Sequence, residues 1–373
     1  MKVVVAIDSF KGSLSSMEAG MAARRGILAA KPEADVVVKP LADGGEGTVD
    51  ALIEGLGGKK VHVIVTGPTG HKVACYYGFL EKTGTAVIEM ASAAGITLMN
   101  KNDPLHATTH GVGEIILDAA KKGCKNFIIG IGGSATNDGG IGMLKALGIS
   151  FLDADGNDVG EGGQALHKIV SIDQSHLNPL LDGCQFQVAC DVTNPLCGPN
   201  GATYIYGPQK GVTDDFIEEL DQAMAHYADV TTSVLGCDYS HTEGAGAAGG
   251  LGFAFLSYLK ASLTPGIDLI LNAVDLEKEL TDADIVVTGE GRLDYQTSMG
   301  KAPIGVAKLA KKYKAKTIAF AGSVSADAST CNQAGIDAFF PILQQVTTLE
   351  EAMNPTQAAS NLEKTAEQVF RLL

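Results

Sequence analysis

The chain contains no tryptophan, and its other aromatic residues are thinly spread. A stacking platform for single-stranded nucleic acid needs aromatic faces at close intervals, so the composition argues against that class of function. Positive charge is scarce as well: 28 Lys and Arg stand against 43 Asp and Glu, leaving a net charge of −15. That is the wrong sign for a phosphate backbone or an anionic membrane surface, and neither a nucleic acid nor a membrane is expected as a partner. An anionic ligand would have to meet local positive potential, from a few basic side chains or from helix N-termini.

The seven cysteines are odd in number and include no Cys-x-x-Cys pair, so neither a disulfide framework nor a zinc site is signalled. A reducing, cytoplasmic setting is expected. No long hydrophobic run is present. The apolar stretch 3–7 stops at Asp8, too short for a secretory signal, and the glycine-rich apolar segment 244–259 falls short of a bilayer span. A Walker A motif is missing, because Met299-Gly300-Lys301-Ala302 lacks both the hydroxyl and the upstream glycine spacing. Protein-kinase catalytic-loop signatures are missing too, and the eight histidines show no metal-ligand spacing.

What the chain does have is length, glycine and a rhythm. Its 373 residues suffice for two domains, and its 46 glycines cluster beside polar residues instead of forming a repeat. The run 2–7 reads as a buried parallel strand. It is followed by a polar turn and a helix from about 17 to 30, capped by Ser15 or Ser16 with Glu18 in the first turn. A second strand over 36–41 leads through Asp43-Gly44-Gly45-Glu46 into another helix. Between 60 and 89 the pattern shortens to an antiparallel meander. After about 265 the α/β alternation returns, with strands expected at 284–287, 317–321 and 338–342 and helices at 303–312, at 328–334 and from 356. The chain is therefore expected to form a Rossmann-like parallel-sheet α/β domain from both its ends, residues 1–66 and 265–373. A second α/β domain, 67–264, is inserted in it, and the active site lies in the cleft between them.

Glycine-containing polar loops follow the apolar runs at 8–16, 42–48, 130–140, 190–201, 243–252 and 288–301. The last carries Glu290, Arg292, Asp294 and Lys301 between Gly289, Gly291 and Gly300, two acids and two bases on what reads as a loop at a strand's carboxyl end. The loop at 132–140, Gly-Gly-Ser-Ala-Thr-Asn-Asp-Gly-Gly, reads either as an anion cradle or as a plain helix cap, since Ser134, Thr136, Asn137 and Asp138 are all favoured helix starters. Gly130-x-Gly132-x-x-Ala135 also fits a dinucleotide fingerprint, with Asp153 and Asp155 about twenty residues on. That opens a nicotinamide-dependent dehydrogenase of small hydroxy acids as the rival reading. Asp-Ala-Asp-Gly at 153–156 is more naturally a hairpin turn. A binding protein for small acids, without turnover, is a third reading.

Taken together, Asp-Ser-Phe-Lys-Gly-Ser at 8–13, Ala-Asp-Gly-Gly-Glu-Gly-Thr at 42–48, the 132–140 loop, Cys-Asp-Val-Thr-Asn-Pro-Leu at 190–196, Gly-Ala-Gly-Ala-Ala-Gly-Gly-Leu-Gly at 244–252 and Thr-Gly-Glu-Gly-Arg-Leu-Asp at 288–294 resemble the bacterial glycerate kinase family. The resemblance implies ATP-dependent, Mg²⁺-assisted phosphorylation of D-glycerate at the 2-hydroxyl, in glyoxylate and sugar-acid catabolism. With it come expected roles. Lys11 and Arg292 neutralise charge, and Asp191 or Asp294 is the base. Asp8, Ser9, Asp43, Gly44, Gly45, Glu46, Glu290 and Lys301 bind substrate. Gly132, Gly133, Ser134, Thr136, Asn137 and Asp138 hold the nucleotide, and Asp191 and Glu290 are candidates for the metal. A homodimer is left open.

Overall fold

Five successive apolar residues have no polar face to show to water, and a strand buried on both sides is the structure that hides them all. The computed structural model describes residues 1–373, and in it Val3, Val4, Val5, Ala6 and Ile7 are all buried. In chain order the strands are β1 (Lys2–Ile7), β2 (Asp35–Val38), β3 (Lys59–Thr66), β4 (Lys72–Leu80), β5 (Thr85–Glu89), β6 (Asn126–Gly130), β7 (Ser150–Leu152), β8 (Ser171–Asp173), β9 (Gln185–Ala189), β10 (Ser262–Thr264), β11 (Ile285–Leu293), β12 (Lys316–Val324) and β13 (Ala338–Pro341). Two compact units result. Met1–Asp43, Asp50–Gly57 and Ile267–Leu373 form the first; Gly44–Val49 and Gly58–Gly266 form the second.

The first unit holds a five-stranded, all-parallel sheet in the order β13-β12-β11-β1-β2. One face is covered by the helices Ser16–Ala30 and Pro355–Arg371, whose Ala19, Ala23, Ile27, Leu362, Ala366 and Phe370 form one core with Val3, Val5 and Ile7. Ser15 caps the first of these helices in a reciprocal box with Glu18, as the sequence indicated. A separate cluster of Leu293, Ile304, Ala307, Ala319 and Cys331 lies on other apolar faces of the same strands and the helix Ala302–Lys312. This is the Rossmann-like domain built from both chain ends. Its two long helices touch at Gly26, where a Cβ would stand 2.0 Å from the carbonyl oxygen of Glu363. Gly26→Ala is therefore expected to lose about 3 kcal/mol of stability by forcing the helices apart, seen as a lower denaturation midpoint with unchanged m-value.

The second unit has a six-stranded mixed sheet, β10-β9-β6-β5-β4-β3, and a small β7-β8 ribbon. β10, β9, β6 and β5 run parallel, and β4 and β3 close the edge as the antiparallel meander. The sequence boundary near 66 put residues 59–66 with the first domain; the structure puts them in this sheet as β3. Gly67 to His71 makes a tight hairpin turn, so the strand pairs locally, from Lys59 against Phe79 to Thr66 against Lys72.

A second correction bears on the site. Residues 288–293 are not a loop: β11 continues through Leu293, paired with β12 as far as Val324. Gly289 makes this close pairing feasible, since a Cβ there would lie 2.0 Å from the carbonyl oxygen of Phe320. Glycine here marks a close approach of strands, where the sequence suggested a turn.

Candidate active site

In an open parallel sheet the loops diverge where the strand order reverses, and ligands collect there. The chain leaves β1 toward β2 on one side and returns beside β1 as β11 on the other, so the switch point falls at the carboxyl ends of β1 and β11. Asp8 is the residue that follows β1, its N–H donating to the carbonyl of Gly289 at 2.9 Å. A cavity of about 440 Å³ opens at this place within the first unit. Asp8, Ser9, Lys11, Asp43, Glu290, Arg292, Asp294 and Lys301, all expected from the sequence, line it together.

Its electrostatics are set by crowding. Asp8 is only 6% exposed. Burial, then the nearby charges of Asp43 and Glu290, push its carboxyl up from the ordinary 3.8 to about 7, against the Ser9 N–H (2.7 Å) and Lys11 that favour the charged form. Glu290 is also pushed up, chiefly by burial, while the Thr297 hydroxyl donating to its Oε1 at 2.7 Å pulls the other way. The basic groups sit at the wetter rim. Lys11 Nζ stands 3.7 Å from Asp43 Oδ2, and Arg292 Nε 3.6 Å from Asp294 Oδ2. Asp294 also acts locally as the N-cap of the short helix Tyr295–Ser298, accepting the Thr297 N–H at 3.2 Å.

Sequence reasoning missed other lining groups. Gly322 and Ser323 lie on the extended end of β12, a strand expected to stop at 321, and Ile342, Leu343, Leu349 and Met353 supply an apolar wall. That wall comes partly from the helix Leu349–Met353, five residues long and too short to leave a periodic signal. Gly291 reads in sequence either as a turn or as a close approach to a ligand. A Cβ at Gly291 would meet nothing nearer than Phe10 Cα at 3.6 Å, an ordinary contact, so neither folding nor packing requires glycine there. Gly291→Ala is expected to keep its melting temperature and raise KM about tenfold, by intruding on the ligand; steady-state kinetics beside thermal denaturation check this.

The remaining expected residues belong to the second unit. Asp191 is exposed, and its Oδ1 accepts the Gly266 N–H at 2.8 Å. Gly44 is explained by packing, as a Cβ would come within 2.8 Å of Gly266 Cα and 2.9 Å of Ala189 Cβ; Gly45 is half-buried and Glu46 exposed. In the 132–140 loop, Gly132 and Gly133 face solvent and the rest turns inward. Asp138, fully buried, accepts the Thr109 N–H and hydroxyl, each at 2.8 Å, and the N–H groups of Gly140 and Gly142. Asn137 Nδ2 donates to Thr203 Oγ at 3.0 Å, and Thr136 is fully buried. The side chains of Asn137 and Asp138, expected with Thr136 to hold a nucleotide, thus brace the loop from within, while Thr136 Oγ is buried without a hydrogen-bond partner. Asp153 takes part in a tight turn with Asn157, the hairpin alternative to a ribose-binding acid. No group of three or more His, Cys, Asp and Glu side chains stands ready for a metal, and no helix is long and apolar enough to cross a membrane.

Buried acids and exposed cations at the switch point of an α/β sheet are the features of a site for a small, charged molecule. Comparison with known proteins makes this specific. The chain belongs to the glycerate kinase family, whose description matches residues 3–373. It is 50% identical over 371 residues to a glycerate kinase of Bacillus subtilis (strain 168), covering 99% of this chain and 97% of that one. It is 49% identical over 354 residues to the glycerate 2-kinase of Escherichia coli (strain K12), covering 94% and 93%. A crystal structure from Salmonella typhimurium LT2, named as a candidate glycerate kinase 2, superposes with a TM-score of 0.91 at 46% identity, over 99% of this chain and 97% of that one. Nothing in these relationships supports the dehydrogenase reading.

Proposed function

We propose that the chain transfers the γ-phosphoryl group of ATP, with Mg²⁺, to the 2-hydroxyl of D-glycerate, yielding 2-phosphoglycerate and ADP in the catabolism of glyoxylate and sugar acids. The observation that carries the reading is Asp8. A hydroxyl nucleophile needs a proton acceptor poised near the working pH, and Asp8 is a buried carboxylate held at about 7 in a pocket rimmed by Lys11, Arg292 and Lys301. Asp8 is therefore the base in this reading, in preference to Asp191, which is exposed, and to Asp294, which caps the helix Tyr295–Ser298. As the hydroxyl oxygen bonds to phosphorus, Asp8 takes its proton and the bond from phosphorus to the bridging oxygen breaks, releasing ADP.

Lys11 and Arg292 meet the glycerate carboxylate and the charge on the moving group, where the planar guanidinium suits either. Ser9, Asp43 and Lys301 orient the substrate. Gly132, Gly133 and Ser134 carry nucleotide phosphates. Gly132 suits this role, having no left-handed φ and nothing within 4 Å of a Cβ, so that its bare backbone is explained by a ligand pressed against it. Glu290, with Asp191 as a second candidate, would hold Mg²⁺ in this reading, since carboxylate oxygens are the ligands a hard cation takes. Such an ion supplies charge neutralisation on the phosphate oxygens. A cytoplasmic setting and a homodimer complete the reading, the latter to be checked by sedimentation.

The test is ADP release from ATP. Release that requires both Mg²⁺ and D-glycerate, with no reduction of NAD by the same protein, is expected. No ADP release under any of these conditions would sink the kinase reading.

A further inference from the structure

A buried lysine ammonium is costly unless it serves something, and the second unit contains one that no step of the proposed reaction uses. Lys210 ends the turn Pro208–Lys210, is 2% exposed, and donates from Nζ to Ser134 Oγ at 2.6 Å and to the carbonyl of Thr136 at 2.7 Å. Its charge is thus directed at the loop that follows β6. Burial pulls it down to about 7, and Asp138 is the charged group that opposes this. The same loop keeps other polar atoms that its own fold leaves unsatisfied: Thr136 Oγ and Asn137 Oδ1 are buried without a partner. Ahead of them Gly132 and Gly133 are exposed.

We infer that Lys210 is a positioning residue that turns the Ser134 hydroxyl into an outward donor, completing with Gly132 and Gly133 a subsite for nucleotide phosphates. The inference rests on the placement of the phosphates at this loop. The chemistry is directional. In its protonated form, which a bound phosphate anion favours, the Lys210 ammonium has three donors and no acceptor, so Ser134 Oγ accepts from it. The hydroxyl hydrogen is then left for another acceptor, and a phosphate oxygen is one. A cation behind the hydroxyl also polarises it toward donation.

The test is calorimetric binding of Mg·ADP to the full chain and its variants. Lys210→Met removes the charge at similar volume; because it also leaves the Thr136 carbonyl and Asp138 without their cation, a lower melting temperature is expected, and binding is compared well below it. Affinity for Mg·ADP should fall about tenfold in Lys210→Met and in Ser134→Ala. The double variant should be no worse than either single one, because Lys210 acts through Ser134, and Ser134→Thr should retain affinity. KM for D-glycerate should change less than about twofold in all of them. Wild-type affinity in Lys210→Met, or effects of the two substitutions that add, would overturn the role of Lys210. Should Lys210→Met fail to fold, Ser134→Ala against Ser134→Thr still decides, since equal affinity in both removes the hydroxyl from the subsite and the inference with it. Gly132→Ala separates the levels: a Cβ there meets nothing in the protein, so wild-type affinity in both Gly132→Ala and Ser134→Ala would remove the phosphates from the loop altogether.

Discussion

Asp8→Asn should cost between about 10²- and 10⁴-fold in kcat, the usual contribution of a positioned base, while the protein becomes harder to unfold. The two effects have one origin. Asparagine is isosteric and keeps an oxygen to accept the Ser9 N–H, so the local geometry persists. What it removes is a charge that is unfavourable to bury. The folded carboxyl sits at about 7 against 3.8 when exposed, so between those values the native state holds a proton that the unfolded chain has released. Stability therefore falls as pH rises from about 4 to 7 and stays reduced above that. The shift corresponds to at most about 4 kcal/mol, an upper bound for what Asp8→Asn recovers at pH 8 and does not recover at pH 4. Denaturant melts at the two pH values check the stability half. The kinetic half is a limb near pH 7 in kcat/KM that rises as Asp8 ionises in the wild type and is lost in the variant. A variant that turns over normally would take Asp8 out of the chemistry, and one that loses stability at pH 8 would contradict the burial of an unfavourable charge.

Arg292→Ala should reduce kcat by about 10³-fold with little change in stability, since a guanidinium that meets transferring phosphoryl charge acts mainly in the transition state. Its side chain is 67% exposed and its pairing with Asp294 at 3.6 Å is of the kind worth about 1 kcal/mol or less. Arg292→Lys should recover only part of the loss, because a point charge cannot reproduce the planar two-pronged contact. Activity within about tenfold of wild type for Arg292→Ala would assign Arg292 to the rim of the pocket and leave the charge neutralisation to Lys11 and Lys301.

Much of this architecture is legible because it is local. The unbroken run before Asp8 can only be a buried strand, Ser15 and Glu18 announce a helix start, and the alternating valines around 61–65 announce a strand. Which sheet that last strand joins depends on the Gly67–His71 turn, and the sequence pattern alone sets residues 59–66 on the wrong side of a boundary. Glycine is the other source of error. At 289 it permits a strand to approach Phe320, and at 44 it permits packing on Gly266 and Ala189, yet in sequence both look like ligand loops. Gly132 and Gly291 look the same in sequence and differ only in having no neighbour to explain them.

The site is legible as a set of loops and much less as a set of roles. Asp8 falls in sequence among the substrate-binding groups; its selection as base depends on burial and on Asp43 and Glu290, brought near by the fold from far along the chain. Asp138 looks in sequence like a ligand for the nucleotide, and its partners Thr109 and Gly142 show it bracing the loop. Lys210 carries no signal at all in sequence, being one lysine in an ordinary turn until its burial is known.

The most direct measurement takes the product formed from ATP, Mg²⁺ and D-glycerate and supplies it to enolase with phosphoglycerate mutase left out. Enolase acts on the 2-phosphate, so formation of phosphoenolpyruvate in step with ADP release is the expected result, and it should vanish with Asp8→Asn. ADP release with no phosphoenolpyruvate would contradict transfer to the 2-hydroxyl and put the phosphate on the 3-position.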